Sequence, residues 1–318
     1  MQQPIAIPDT VPDAVSGSRK LVFACAITDD DVYRECAEPG IKLAAEPDSE
    51  VLPMQSAGSL FRNYNLLLDQ LKDRDDYDAL ILLHQDAEIV DPDFSEKVRR
   101  GLRDPEVAIV GCAGALGVRS IAWWEGAVTW ASYTHRFREV GGGEIPALTW
   151  KEEEIPSYAR TGQVDSIDGF VMALTPWAVR NLRFDESLGN LHGYDFDICL
   201  QAREAGRKVA IEDMRVVHHH DLELISDVES WVEAHMRLAE KWAGRMPEVG
   251  FAAGDWKTRA RRAEAEAAAA RMQAAAGEIL HHAQLNVLAE DLRRTKESKS
   301  WRITAPLRAF MRLFKREE

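Results

Sequence analysis

Three short stretches of this 318-residue chain carry side chains that can do chemistry: His84-Gln85-Asp86, the run YDFDICL from Tyr194 to Leu200, and His218-His219-His220. Asp86 leaves the C-terminal end of an apolar run, the edge at which open α/β sheets bind ligands. There it either holds a hard cation such as Mg2+ or Mn2+ together with substrate phosphates, or caps the turn that follows. Asp195 and Asp197 fall in the first turn of a helix, where acidic residues commonly serve only as partners of the helix dipole. The three histidines end a strand, so His218 and His220 share one face and His219 takes the other. That pair can bind a metal or cover a polar rim, and no CxxC or HExxH spacing accompanies it.

These residues need elements to hold them, and the hydrophobic pattern supplies them. LVFACAI after Lys20 and ALILLH from Ala79 read as buried strands, with a helix between them in which Leu60, Tyr64, Leu67, Leu68 and Leu71 share a face behind a Ser59 cap. Strand, helix and strand in that order predict a parallel sheet and an α/β fold. A helix from Phe94 to Leu102 and a strand VAIVGC follow. Farther on, VDSIDGFVMALT reads as one strand and YDFDICLQAREAG as a helix ended by Gly206, its Ile198, Leu200 and Ala205 facing a core. KVAIED and RVVHHH read as short strands, and Val228 to Trp242 as a helix. Asp168, between Ile167 and Gly169, would be a costly buried carboxylate unless paired. Gly141 to Pro156 reads as a long functional loop. Trp123, Trp124, Trp130 and Trp150 could offer aromatic faces to a ligand or serve as core or interface.

Composition narrows the function. The 53 acidic against 39 basic residues give a net charge of -14, which disfavours nucleic acid as a partner. Cys25, Cys36, Cys112 and Cys199 stand far apart and read as free thiols, which suits a reducing, cytoplasmic setting. Residues 1–18 contain Pro4, Pro8 and Pro12, lack the basic start and apolar core of a secretory signal, and read as a disordered tail. Residues 19–250 form the expected main domain. Residues 251–299, rich in Ala, Glu and Arg, predict a long exposed helix with a short seam of Ile279, Leu285, Leu288 and Leu292 that could pair copies of the chain. In residues 300–318, Leu307, Phe310, Met311 and Phe314 share a face while Arg308, Arg312, Lys315 and Arg316 lie off it. This is a basic amphipathic helix suited to an anionic membrane surface or to docking on protein.

From about Lys20 to Trp242 the order and spacing of HQD, YDFDICL and HHH resemble the inverting family 2 glycosyltransferases of the GT-A fold, especially bacterial members with an HQD element. The resemblance implies a nucleotide-diphosphate-sugar fold with a mixed sheet flanked by helices, a nucleotide-sugar donor, a saccharide, lipid-linked or protein acceptor, and a Mn2+ or Mg2+ cofactor. By it Asp86 is the metal-binding aspartate, His218 completes the metal site with His220 as a further candidate, and Asp195 is the catalytic base. His84, Gln85, Thr28, Asp30, Asn63 and Asn65 fall on the donor side; Asp168, Gly169, Tyr194 and Asp197 fall on the acceptor side. His84 in place of an aspartate and Tyr194 in place of a glutamate depart from the family's pattern. Phe184 of the FDE turn reads as a core anchor and Arg62 as an exposed helix arginine. SKSWRITAPLRAFMRLFKR is similar to endings of bacterial glycosyltransferases that build surface polysaccharide. A His/Asp metallohydrolase using His218 and His220, or a sugar-binding scaffold without activity, are the competing readings. A nucleotidyltransferase is disfavoured, because CAITDDDVY lacks the glycine and lysine of a phosphate loop.

Overall fold

The computed structural model describes residues 19–116, 118, 121, 128–131, 133–137, 162–220, 225, 227–245 and 255–308. The expected disordered tail, the Gly-rich loop from Gly141 to Pro156, Trp123, Trp124, Trp150 and residues 309–318 lie outside them. Strand β1 (Lys20–Ile27) is apolar on both faces and almost wholly buried. A helical run follows: α1 (Asp30–Val32), capped by the Asp29 carboxylate, then a π-helical turn (Tyr33–Ala37) and α2 (Glu38–Ala44). Pro39, with no N–H to give, sits where the π turn passes into α2. Gly40 brings α2 against β4 (Ala87–Ile89): a Cβ there would lie 2.3 Å from the Ile89 nitrogen. Strand β2 (Glu50–Gln55) and helix α3 (Leu60–Leu71) come before β4 in the chain, and Ser59 caps α3 as its sequence predicts.

The frame of the molecule is a seven-stranded sheet, and one of its inner strands is β3 (Tyr77–His84), fully buried from Ala79 to Leu83. After β4 come α4 (Phe94–Gly101), β5 (Val107–Gly111), β6 (Ala113–Leu116), β7 (Val128–Ala131) and β8 (Tyr133–Phe137). The segment read as one strand from Val164 is instead three: β9 (Gly162–Val164), β10 (Ser166–Ile167) and β11 (Val171–Leu174). The chain leaves one sheet for another between them, with the Asp168 nitrogen bonded to the Ala113 carbonyl and the turn at Gly169-Phe170 opening β11. Helix α5 (Pro176–Asn181), a 3-10 turn (Glu186–Leu188), α6 (Tyr194–Glu204), β12 (Lys208–Ile211), β13 (Val216–His220) and α7 (Val228–Lys241) complete the unit. Within α6, Ile198 and Leu200 are buried as expected, whereas Ala205, just past the helix end, is exposed.

The main sheet runs β2-β1-β3-β11-β5-β12-β9. β2, β1 and β3 are parallel, β11 is antiparallel to both neighbours, β5 and β12 are parallel, and β9 closes the edge antiparallel. Three-stranded sheets β10-β6-β7 and β4-β13-β8 flank it. The expected mixed sheet flanked by helices is therefore the fold of this chain. Because β11 runs against β3, the loop that enters β11 arrives beside the residues that leave β3, which is the geometry the site requires.

Helix α8 (Asp255–Glu297) is 43 residues long. It is not exposed throughout: Ala265, Ala268 and Ala269 are buried, with Met272 against the core, so its first half packs on α7. Alanines let the two backbones come close there. Of the expected seam, Ile279 is buried while Leu285, Leu288 and Leu292 are exposed. A Ser298 cap opens the short α9 (Lys299–Ile303). No helix among the described residues is long and apolar enough to cross a membrane.

Candidate functional site

β3 ends at His84, and its last turns are held on all sides. The His84 nitrogen donates to the Phe170 carbonyl at the mouth of β11, and the His219 nitrogen donates to the Asp86 carbonyl. The second of these bonds draws β13 alongside the HQD turn, in register with β4 through His218 and Ala87. His218 is buried and stacks on Phe170 with ring centroids 4.4 Å apart. Three donor atoms converge as a result: Asp86 Oδ1 lies 3.8 Å from His84 Nδ1 and 3.5 Å from His218 Nε2. All three lie within 4.8 Å of one another. Atoms bound to one ion at about 2.1 Å stand about 3–4 Å apart, so the spacing suits a single cation.

Two imidazoles and one carboxylate fit Mn2+ better than Mg2+, which prefers an all-oxygen shell. Burial is the largest influence on His84 and drives its pKa below the ordinary histidine value, which keeps the ring neutral and able to ligate. His84, expected on the donor side, thus stands with Asp86 and His218 in a group that could hold a metal ion. The spacing held that signal: residues i and i+2 at a strand end point to one face. His219 faces the other side and pairs with Glu88 at 2.8 Å. The side chain of His220 lies outside the described residues.

Asp195 is held at the start of α6 by two backbone donors, the Phe196 nitrogen at 2.9 Å and the Gly169 nitrogen at 3.0 Å. Burial first, and the neighbouring charge of Asp168 second, push its carboxyl up to about 7. Gly169 is therefore a backbone donor to Asp195, and Asp168 folds back to accept from the Phe170 nitrogen. Tyr194, in contrast, is buried among Phe61, Tyr64 and Phe184 and offers no surface to an acceptor; its hydroxyl meets His84 Nε2 at 2.6 Å.

The donor-side expectations divide. Thr28, Asp29 and Asp30 are exposed where β1 ends, on the same edge as His84. Gln85 braces that loop: its Oε1 accepts from the Thr28 and Asp29 nitrogens at 2.8 and 3.0 Å, and its Nε2 donates to Thr28 Oγ1. Asp30 accepts from Gln55 at 2.9 Å. Asn63 is fully buried, its Oδ1 accepting from the Ala57 nitrogen, so it cannot touch a donor. Asn65 is a clamp on the FDE turn, bonded to both the nitrogen and the carbonyl of Phe184, and Phe184 is the expected core anchor. Arg62 is exposed.

Asp197, expected on the acceptor side, is turned inward. Buried completely, it accepts from Trp242 Nε1 at 2.8 Å and Gln201 Nε2 at 2.7 Å and pairs with Lys241 at 2.8 Å, tying α6 to α7. Replacing Asp197 by alanine leaves the indole donor unmet and Lys241 with Asp185 alone. The expected cost is about 2–4 kcal/mol of folding stability, read as a lower urea midpoint, with nucleotide binding retained. Unchanged stability together with lost acceptor binding would return Asp197 to the site. A nearby surface cavity of about 510 Å3 is lined by Asn65, Phe184, Asp185 and Lys241 but by none of His84, Asp86, Asp195 or His218. Four of its charges pair within it, Lys241 with Asp185 and Arg245 with Glu204. The four cysteines are free and buried, and burial pushes the Cys25 thiol up to about 12, so it is no thiolate nucleophile.

Residues 22–241 match the model of the glycosyltransferase-like family, a span that holds every group of this cluster. The chain belongs to the glycosyltransferase-like family. A curated relative of this glycosyltransferase-like chain, the streptomycin biosynthesis protein StrF of Streptomyces griseus, is 25% identical over 211 residues, covering 65% of this chain and 69% of StrF. Similar solved structures include a mannosyltransferase, PcManGT from Pyrobaculum calidifontis, in complex with GDP-Man and Mn2+, at 13% identity and a TM-score of 0.47 over 93% of this chain and 85% of that one. Another is GalNAc-T7 with UDP, GalNAc and Mn2+, at 12% identity and a TM-score of 0.47 over 79% of this chain and 55% of that one.

Proposed function

We propose that the protein is a metal-dependent, inverting glycosyltransferase that moves a sugar from a nucleoside-diphosphate donor to an acceptor hydroxyl. The observation that carries this reading is the convergence of His84, Asp86 and His218 at the sheet edge where β1 and β3 end, with the Asp195 carboxylate held nearby through Gly169. His84, Asp86 and His218 would hold Mn2+, which supplies positive charge beside the diphosphate as the leaving group gains negative charge. Thr28 and Asp30, on the loop braced by Gln85, would meet the nucleoside. Asp195 takes the proton of the acceptor hydroxyl as that oxygen bonds to the anomeric carbon. The bond from that carbon to the phosphate oxygen breaks, and its electron pair leaves with the nucleoside diphosphate. A single displacement inverts the configuration. Asp168, beside Asp195, is placed among the acceptor contacts in this reading.

A role in building a glycoconjugate or surface polysaccharide in the cytoplasm belongs to this reading, with a relative named for biosynthesis and four free cysteines that suit a reducing setting. Peripheral contact with the inner membrane face is supported by the exposed Ile303 and Leu307 among Lys299, Arg302 and Arg308, basic residues in a chain of net charge -14. The exposed Leu285, Leu288 and Leu292 support self-association through α8. The central test is thermal stabilisation by UDP, GDP, CMP and dTDP, each with Mn2+ and with EDTA. Stabilisation by one nucleoside diphosphate, present with Mn2+ and lost in EDTA, is expected. A folded protein that answers to none of them favours the scaffold reading; one that binds zinc and no nucleotide favours the metallohydrolase.

A further inference from the structure

The base Asp195 is preceded by a residue that makes contact not with it but with the metal cluster. Tyr194 Oη lies 2.6 Å from His84 Nε2. The other ring nitrogen, Nδ1, is the one turned to Asp86, at 3.8 Å. That separation is too long for a hydrogen bond, so Asp86 does not hold a proton on Nδ1. A histidine that ligates through one nitrogen needs the proton on the other, fixed by an outer partner. Tyr194 is built to be that partner. Its ring is wedged edge-on against Phe61 and Tyr64, at centroid distances of 5.9 and 5.7 Å, and against Phe184, so the hydroxyl has one place to go.

Gly169 makes the place available. A Cβ at that position would lie 2.3 Å from Tyr194 Oη and 2.5 Å from two of its ring carbons. Any side chain there pushes the hydroxyl off His84. The same glycine gives its N–H to Asp195, so one residue without a side chain serves both the metal cluster and the base.

We propose that Tyr194 is a positioning residue for the metal: its hydroxyl accepts the Nε2–H of His84 and so presents the Nδ1 lone pair to a cation shared with Asp86 and His218. This rests on the metal site proposed above and adds to it the residue that sets the ligand's tautomer. Tyr194 does not touch the donor or the acceptor.

The test uses the full chain without nucleotide. Mn2+ binding is followed by the electron paramagnetic resonance signal of the free ion, for the wild type and for Tyr194→Phe, which removes one oxygen and keeps the ring. A 10–100-fold weaker Mn2+ affinity is expected, the usual effect of losing such an outer partner, with the melting temperature of the metal-free protein little changed. Histidine labelled with 15N reports the tautomer in the metal-free protein, with His84→Gln assigning the signal. The proton is expected on Nε2 in the wild type and shared between the two nitrogens in Tyr194→Phe. Gly169→Ala, which retains the tyrosine, is expected to weaken Mn2+ binding as well, and to add little when combined with Tyr194→Phe. Equal Mn2+ affinity in wild type and Tyr194→Phe, or a proton on Nδ1 in the wild type, overturns the assignment of Tyr194 and leaves the metal site standing. A wild type that does not bind Mn2+ overturns both.

Discussion

Asparagine in place of Asp195 is expected to lower the rate of sugar transfer by about 10²–10⁴-fold, the usual contribution of a general base, while nucleotide binding persists. Both carboxylate oxygens of Asp195 accept from backbone N–H groups, which fixes the side chain without neutralising it. Burial and the charge of Asp168 bring its carboxyl to about 7, where a base is strong enough to take a proton and still ionised in a useful fraction. The wild-type kcat/KM should therefore climb about tenfold per pH unit below 7 and level off above it. In the variant that limb disappears.

The same shift has a stability consequence. Between about pH 4 and 7 the native state keeps a proton on Asp195 that the unfolded chain, with an ordinary value of 3.8, has released. Stability then falls as pH rises through that window, with no penalty below it and the full penalty above it. Urea midpoints measured from pH 4 to 8 should show this decline in the wild type, superimposed on the other titrations, and a shallower one in Asp195→Asn. An Asp195→Asn protein that still transfers sugar at the wild-type rate removes the residue from the base role. One that no longer binds nucleotide moves it to the donor site.

How much of this was legible depended on whether the signal was local. β1 and β3 announced themselves as buried apolar runs because parallel strands covered on both faces leave no polar face to interrupt them. Helix α3 was legible from its apolar stripe and its Ser59 cap. The break of VDSIDGFVMALT into three strands was not, because the apolar pattern continues while the chain changes sheet; Asp168 and Gly169 mark a crossing that only the paired strands reveal. The helical run after β1 escaped notice for a different reason: Pro39 and Gly40 break the propensity, and a π turn and the contact with Ile89 accommodate them.

At the site, residue types were legible and partners were not. Asp86 and His218 could be joined across the sequence by resemblance, but His84 needed the strand geometry and Tyr194 needed the fold. Asn65 and Asp197 carried polar side chains at suggestive places, yet each is consumed by long-range contacts, with Phe184 and Trp242, that no spacing rule foresees, and Asn63 is turned to the Ala57 nitrogen in the preceding turn.

Asp86→Ala should produce the largest loss of all, because it deletes the oxygen that faces both imidazoles. With His84 and His218 left as two nitrogen donors, the cluster loses its negative charge as well as a ligand. The expected result is Mn2+ binding too weak to detect at millimolar ion, and a nucleoside-diphosphate thermal shift as small as that of the wild type in EDTA. The fold should survive: Asp86 is partly exposed, and the backbone hydrogen bond that draws β13 alongside runs through its carbonyl, which the substitution keeps. Circular dichroism and the metal-free melting temperature should match the wild type.

Ion preference follows from the same donor set. Nitrogen ligands favour Mn2+ over Mg2+ along the series of divalent metals, so in the wild type Mn2+ should support the nucleotide shift at lower concentration than Mg2+. Full retention of the Mn2+-dependent shift in Asp86→Ala would place the cation elsewhere and detach His84 and His218 from it. Loss of the shift in Asp86→Ala and in His218→Ala, with Asp195→Asn still responding, is the pattern that separates a cation bound beside the diphosphate from a base that meets only the acceptor.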